Sequence, residues 1–409
     1  MQSGVNTRAE RAWCLYDWGN SAFATVCMTA LLPPYLAGLV NRELGAPAGT
    51  VTWGWTAAIG LLAGAVLGPP LGALADSRAW RRRFLATFAL AGAAATAALA
   101  LVLPGHWRLA ALLYVVGATG FAGANLFYDA LLPGIAPPKR WDSLSARGYA
   151  YGYAGGGLAL LIAALMAMRG GTAGVRWAFV LTALWWAVFT VPVVRGVPEP
   201  QPTFVAGPWA RLRRTVREAR RHPTLWHFLL AYWLYNDGIG TIIKMAAAYG
   251  AERGISLPQM LGALLLTQAV GVPATVLFGR LGERWGAKGA IELALGGYIV
   301  VAGFGVFLAQ AWQFWVLAAL VGVVQGGAQA LSRSLYARLL PRGREAEFFS
   351  FFDVSGRMAG VAGPAVFSLV TAATGSGRGG VVAVIVFFVV GGSILHGVNV
   401  PDAVESRPE

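Results

Sequence analysis

GALADSRAWRRR (Gly72–Arg83) returns 207 residues later as GRLGERWGAKG (Gly279–Gly289). Each copy opens on a glycine and carries an acid four residues on, Asp76 or Glu283. Basic residues follow: Arg81 and Arg82 in the first copy, Arg284 and Lys288 in the second. Other landmarks keep nearly the same spacing. Pro133 matches Pro341 at an offset of 208, and Ser145 and Arg147 match Ser355 and Arg357 at 210. A near-constant offset over this much chain implies duplication. Parallel repeats of this kind place a substrate site at the interface of the halves.

The sequence around the two copies is apolar. Of 409 residues, 57% are hydrophobic and 12% charged, about half the charged fraction of a soluble domain, and mean hydropathy is +0.59. The chain therefore reads as an all-α membrane protein. Apolar runs at 14–40, 52–75, 83–103, 108–132, 144–168, 175–196, 225–249, 258–280, 289–309, 312–337, 347–372 and 379–399 predict twelve transmembrane helices. They group into an N-terminal six-helix bundle (1–196), a linker (197–224) and a C-terminal six-helix bundle (225–409). In the linker, PWARLRRTVREARRHP (Pro208–Pro223) reads as a basic amphipathic helix on anionic lipid. No cleavable signal peptide is visible, and the first span would anchor itself.

Net charge is +14, a balance that often signals nucleic acid. Its distribution argues otherwise. With the termini and even-numbered loops on one side, 22 Lys and Arg fall there against 6 on the other. That asymmetry is a topology signal, placing both termini in the cytoplasm. Two cysteines, Cys14 and Cys27, and four scattered histidines give neither a disulfide framework nor a metal site. No phosphate-binding G-x-x-x-x-G-K-[ST] loop is present, which disfavours ATP-driven transport. No cofactor is expected.

The loop pattern G-x-x-x-[D/E]-[R/K]-x-G-x-[R/K] resembles the signature of the major facilitator superfamily. The second copy fits through Lys288, while in the first Ser77 replaces a basic residue and Ala79 a glycine. The resemblance implies gating loops formed by Gly72, Asp76, Arg81 and Arg82 and by Gly279, Glu283, Arg284 and Lys288. It implies that Asp76 contacts the start of span 11 and that Glu283 faces the start of span 5. Four longer stretches resemble the vacuole-effluxer, or unknown-major-facilitator, family: YDWGNSAFAT (Tyr16–Thr25), YWLYNDGIGTIIKMAAAYG (Tyr232–Gly250), GGAQALSRSLYARLLP (Gly326–Pro341) and EFFSFFDVSGRMAGVAGP (Glu347–Pro364). Fungal members of that family are linked to amino-acid export from the vacuole. Span 4 lacks the R-x-x-Q-G motif of some proton-coupled facilitators.

Charges within spans mark substrate or ion sites by default. Asp237 and Lys244 lie in span 7, on one helical face and roughly 10 Å apart along the axis. Gly238 and Gly240 would let that helix bend or unwind. The alternative reading is a fixed structural ion pair. A cytoplasmic-third belt is expected from Asp17, Asp129, Arg147, Arg333, Asp353 and Arg357, acting as a gate, as structure or as a substrate contact. Asp353 and Arg357 are spaced to pair along one helix, and Arg147 could pair with Asp129. Asn20, Asn125, Tyr128, Tyr151, Tyr232, Asn236, Gln325 and Gln329 supply neutral polar groups. Pro33 and Pro34 should kink span 1. The expectation is a secondary transporter, not an enzyme: a monomer in the bacterial inner membrane, moving a small polar metabolite such as an amino acid, with a possible coupling proton or cation. Efflux of cationic or amphipathic compounds is the alternative, and a non-transporting receptor or lipid-handling protein is the rival of another class.

Overall fold

The computed structural model describes residues 7–45, 48–201, 223–252, 255–341, 343–358 and 362–399. The linker helix expected at Pro208–Pro223 lies almost wholly outside them. Among the described residues, nine helices are long and apolar enough to cross a membrane. One, Pro138–Gly196, is 59 residues long and is interrupted at Gly171, where φ is 51° and ψ −132°. It thus carries two of the predicted spans.

The chain divides into two compact units. Unit 1 comprises Met1–Ile135, Tyr151–Pro208 and Gly343–Asp353; unit 2 comprises Ala136–Ala150, Trp209–Arg342 and Val354–Glu409. Each unit includes a short segment from the opposite half of the sequence.

Unit 1 begins with α1 (Thr7–Ala22), which runs into a π-helical segment (Phe23–Ala30) and then α2 (Leu32–Leu44). The expected kink falls at Leu31, just before Pro33 and Pro34, which occupy the first turn of α2. Their missing N–H groups end the bonding pattern of the π-helical segment. Next come α3 (Ala48–Arg78), α4 (Arg81–Ala98) and α5 (Trp107–Ile135), then α6 (Trp141–Gly196), whose residues up to Ala150 belong to unit 2. Helices α4 and α5 meet closely because Gly120 has no side chain: a Cβ there would lie 2.6 Å from Phe88 O. Trp13 stacks on Tyr128 at 4.3 Å, anchoring α1 to α5.

Unit 2 contains α7 (Pro223–Glu252), α8 (Leu257–Trp285), α9 (Ala287–Val306), α10 (Ala311–Leu339), α11 (Glu345–Met358), α12 (Ala362–Thr374) and α13 (Gly377–His396), except that α11 starts in unit 1. The unwinding that Gly238 and Gly240 would permit is not seen: α7 is helical through both glycines. Gly238 serves packing instead, since a Cβ there would lie 2.9 Å from the Phe388 ring of α13.

Candidate functional site

The loop repeat becomes two helix-capping clusters. In unit 1 the last turn of α3 presents Asp76 to the start of α11. Its carboxylate accepts the Ala346 N–H at 3.2 Å and the Glu347 N–H at 2.9 Å. A carboxylate at a helix N-terminus satisfies orphan donors and complements the dipole. Arg81 completes the cluster, 2.7 Å from Asp76 and 2.6 Å from Glu345, and also donates to Ala130 O at 3.0 Å. Both Asp76 and Arg81 are buried. Gly72 makes room: a Cβ there would lie 2.6 Å from Ala346 O. Arg82 turns away to Glu199 at 3.1 Å and Val194 O at 3.0 Å.

Unit 2 repeats the packing with different charges. Gly279 lies against the start of α6, where a Cβ would meet Ala146 Cβ at 2.5 Å. The acid here is Asp142, on α6 itself. It pairs with Arg338 at 2.7 Å and accepts from Ser334 Oγ at 2.5 Å. Arg333 donates to Ser145 Oγ at 2.8 Å and Ser145 O at 2.9 Å, and lies over the Tyr149 ring. Glu283 departs from expectation: it is exposed, as is Arg284. The neighbouring residue against Asp142 is Gly282, whose Cβ would lie 3.2 Å from Asp142 Cβ. No side chain is needed from position 283, because Asp142 carries the charge from the other side. Lys288 also has another task. It donates to His396 O at 2.5 Å and Val398 O at 3.0 Å, closing the end of α13.

Ala79, in the loop-pattern position otherwise held by glycine, has φ 54°; Gly286, 207 residues on, has φ 82°. Trp80 N–H donates to Ala75 O at 3.0 Å, the bond of a Schellman helix end. The first copy therefore keeps the left-handed turn without its favoured residue. Ala79→Gly should stabilise the protein by about 0.5–1 kcal/mol, read as a higher thermal midpoint in detergent. A lower midpoint would count against this account of the turn.

Deeper polar residues sort by unit. On α1 and α5, Tyr128 Oη donates to Asp17 Oδ2 at 2.9 Å, and Asn20 donates to Asn125. Asp17, Asn125 and Asp129 are half-buried, while Tyr151 is exposed and packs edge-on to Trp18. Asp353 is half-buried on α11. In unit 2, Arg147, Asn236, Gln325 and Gln329 are half-buried. Tyr232 is buried, and Asn236 Nδ2 donates to Gly356 O at 3.4 Å. Asp237 is fully buried and accepts the Gly363 N–H at 2.7 Å, in the first turn of α12. The side chains of Lys244 and Arg357 lie outside the described residues.

Sequence reasoning missed Asp142, Ser334, Arg338 and Glu345. The only local signal was an acid opening a helix just after a basic loop, at Asp142 and Glu345. It also missed the buried pair of Tyr235 Oη and Ser332 Oγ, 2.6 Å apart.

Among the described residues, nine helices long and apolar enough to cross a membrane mark an integral-membrane protein. The human organic anion transporter MFSD10 has a similar fold, with a TM-score of 0.78 over 96% of this chain and 100% of that chain at 16% identity. A bacterial homologue of the iron transporter ferroportin gives 0.72 over 96% and 99% at 18% identity. Residues 53–406 match the model of the vacuole effluxer Atg22-like family, and the chain belongs to that family. It is 38% identical over 403 residues to the MFS-type transporter YxiO of Bacillus subtilis (strain 168), covering 95% of this chain and 94% of that protein. Autophagy-related protein 22 of Cryptococcus neoformans var. neoformans serotype D (strain B-3501A) is 30% identical over 276 residues, 60% of this chain and 50% of the fungal protein. YxiO and the two solved neighbours are transporters, not enzymes. The protein is a multi-pass membrane protein that handles a small-molecule substrate within lipid.

Proposed function

We propose that the protein is a proton-coupled secondary transporter that moves a small zwitterionic metabolite, an amino acid, by alternating access. In this reading the bodies that move are the six-helix halves 1–196 and 225–409, joined by the cytoplasmic linker 197–224. The working form is a monomer in the bacterial cytoplasmic membrane with both termini inside. Asp237 is the observation that carries the coupling. A carboxylate buried at membrane depth is costly, and this one holds the first turn of α12 through Gly363. Protonation would replace a charge-assisted bond by a weaker one. Proton occupancy would thereby bias where α12 sits relative to α7, and a differential affinity of that kind is what couples an ion to a conformational change. In unit 1, the half-buried Asp17 and Asn125 and the exposed Tyr151 support a polar, hydrogen-bonding ligand.

Uptake of radiolabelled amino acids into proteoliposomes under an imposed pH gradient tests this reading. Wild type should accumulate substrate above equilibrium. Asp237→Asn, which keeps an acceptor oxygen, should exchange substrate but lose accumulation. Accumulation that still tracks the gradient in the variant would remove Asp237 from the coupling role. Competition by lipophilic cations and by no amino acid would overturn the substrate class. For topology, Arg284→Cys and Glu43→Cys are both exposed positions. In intact cells an impermeant thiol reagent should label Glu43→Cys alone; the reverse pattern would invert the model.

A further inference from the structure

Among the described residues the single π-helical segment, Phe23–Ala30, lies within the first span, Thr7–Leu44. Segments of this type concentrate at functional sites. The register is visible in one backbone bond, accompanied by one side-chain bond, each reaching five residues back. Leu31 N–H donates to Val26 O at 2.8 Å, and Thr29 Oγ1 donates to Ala24 O at 2.9 Å. The pattern cannot continue, because Pro33 and Pro34 have no N–H. Thr29 O therefore has no donor four or five residues on. Ala30 O loses the donor at position 34, and the Tyr35 N–H goes instead to Leu31 O at 3.2 Å. Among the described residues no side chain donates to either carbonyl.

Thr29 is exposed and Ala30 half-buried. Thr29 also sits within about 6 Å of the midpoint of the Thr7–Leu44 span along the helix axis. Lipid offers no hydrogen-bond donor, and non-helical backbone at that depth is tolerated only inside protein or along a water-filled cavity. Thr29 is not covered by protein, and lipid could not satisfy its carbonyl.

We propose that the Thr29–Leu31 face of span 1 lines the aqueous path and that the Thr29 and Ala30 carbonyls form a binding site for a protonated primary amine. Carbonyls only accept, and an ammonium has three donors and no acceptor. Its charge strengthens each bond. An anion is repelled by the same oxygens, and a hard metal cation needs a fuller oxygen shell than two carbonyls supply. The site rests on the transport path proposed above, but its test requires no transported substrate.

The probe is a thiol at position 29. In a Cys14→Ala, Cys27→Ala background, Thr29→Cys is treated with a cationic aminoethyl methanethiosulfonate and with its anionic sulfonatoethyl counterpart. Leu184→Cys, at an exposed apolar position of α6, is the lipid-facing control. Thr29→Cys should react faster than the control with both reagents. After correction for free-thiol rates, the cationic reagent should be preferred about tenfold, the worth of one charge-assisted hydrogen bond. Pro34→Ala returns an N–H to the helix, and the preference should collapse toward unity. Pro33→Ala is the second route to the same result if the first variant does not fold. Reaction at position 29 no faster than at 184 would refute the aqueous face. No charge preference, or one unchanged by the proline replacements, would refute the amine site. Either result is separate from a failure of amino-acid uptake, which would sink the proposed substrate while leaving this site standing.

Discussion

Arg81→Ala should destabilise the protein by about 3–5 kcal/mol, the usual cost of removing one partner from a buried ion pair. Two carboxylates lose their cation at once, Asp76 and Glu345, and Ala130 O loses its donor. Asp76 keeps its two backbone N–H groups on α11, so Asp76→Ala should harm by a different route: it strips the helix start of its cap. The double variant should then be less damaging than the two single losses added, because residues sharing partners are not independent. Thermal unfolding of the four proteins in one detergent checks this. Strict additivity would mean that Arg81 and Asp76 act separately, contrary to the shared cluster. Arg81→Lys should recover little, since one ammonium cannot replace the fork that reaches three oxygens.

The second large effect is expected at Gly363. A Cβ there would run into Thr241 Oγ1 and lie 2.8 Å from Asp237 Oδ1 and 3.0 Å from Asp237 O. Two buried side chains and one backbone oxygen crowd the position together, so Gly363→Val should cost about 3 kcal/mol or more and reduce folded protein sharply. Thr241→Ala removes one of the colliding atoms and should restore part of the loss. Equal yields of Gly363→Val with and without Thr241→Ala, measured by fluorescence-detected size exclusion, would show that the clash lies elsewhere. Because the same glycine donates to Asp237, a surviving Gly363→Ala should also alter gradient-driven uptake.

What the sequence made legible was whatever repeats or is local. The 207-residue echo, the spans and the charge asymmetry needed only spacing and hydropathy. Gly72, Asp76 and Gly279 were identifiable because their loop pattern is short and recurs. The partners were not. Asp142 and Arg338 are 196 residues apart, and Asp76 and Glu347 are 271 apart; nothing in either local sequence names the other. Glu283 was misjudged because symmetry of sequence was taken for symmetry of charge, whereas Asp142 on the opposing helix supplies the acid. The glycines of α7 were read as flexible, although tight packing on Phe388 is an equally good use of a missing side chain. Ala79 was noticed as a departure, yet only its φ of 54° revealed that the turn itself was kept.

The exchange of short segments between the two units has a consequence for biosynthesis. Ala136–Ala150 belongs to unit 2 and Gly343–Asp353 to unit 1, so neither unit can be finished in the order in which it is made. Asp142 must wait for Arg338, 196 residues later, which at ribosomal speeds of about 5–20 residues per second is roughly 10–40 s. Throughout that interval the first half sits in the membrane with the start of α11 still to come and the Asp76 carboxylate without the two N–H groups it caps. Ribosome-bound chains halted before Gly343 should therefore be protease-sensitive near Arg81, and chains extended past Asp353 protected.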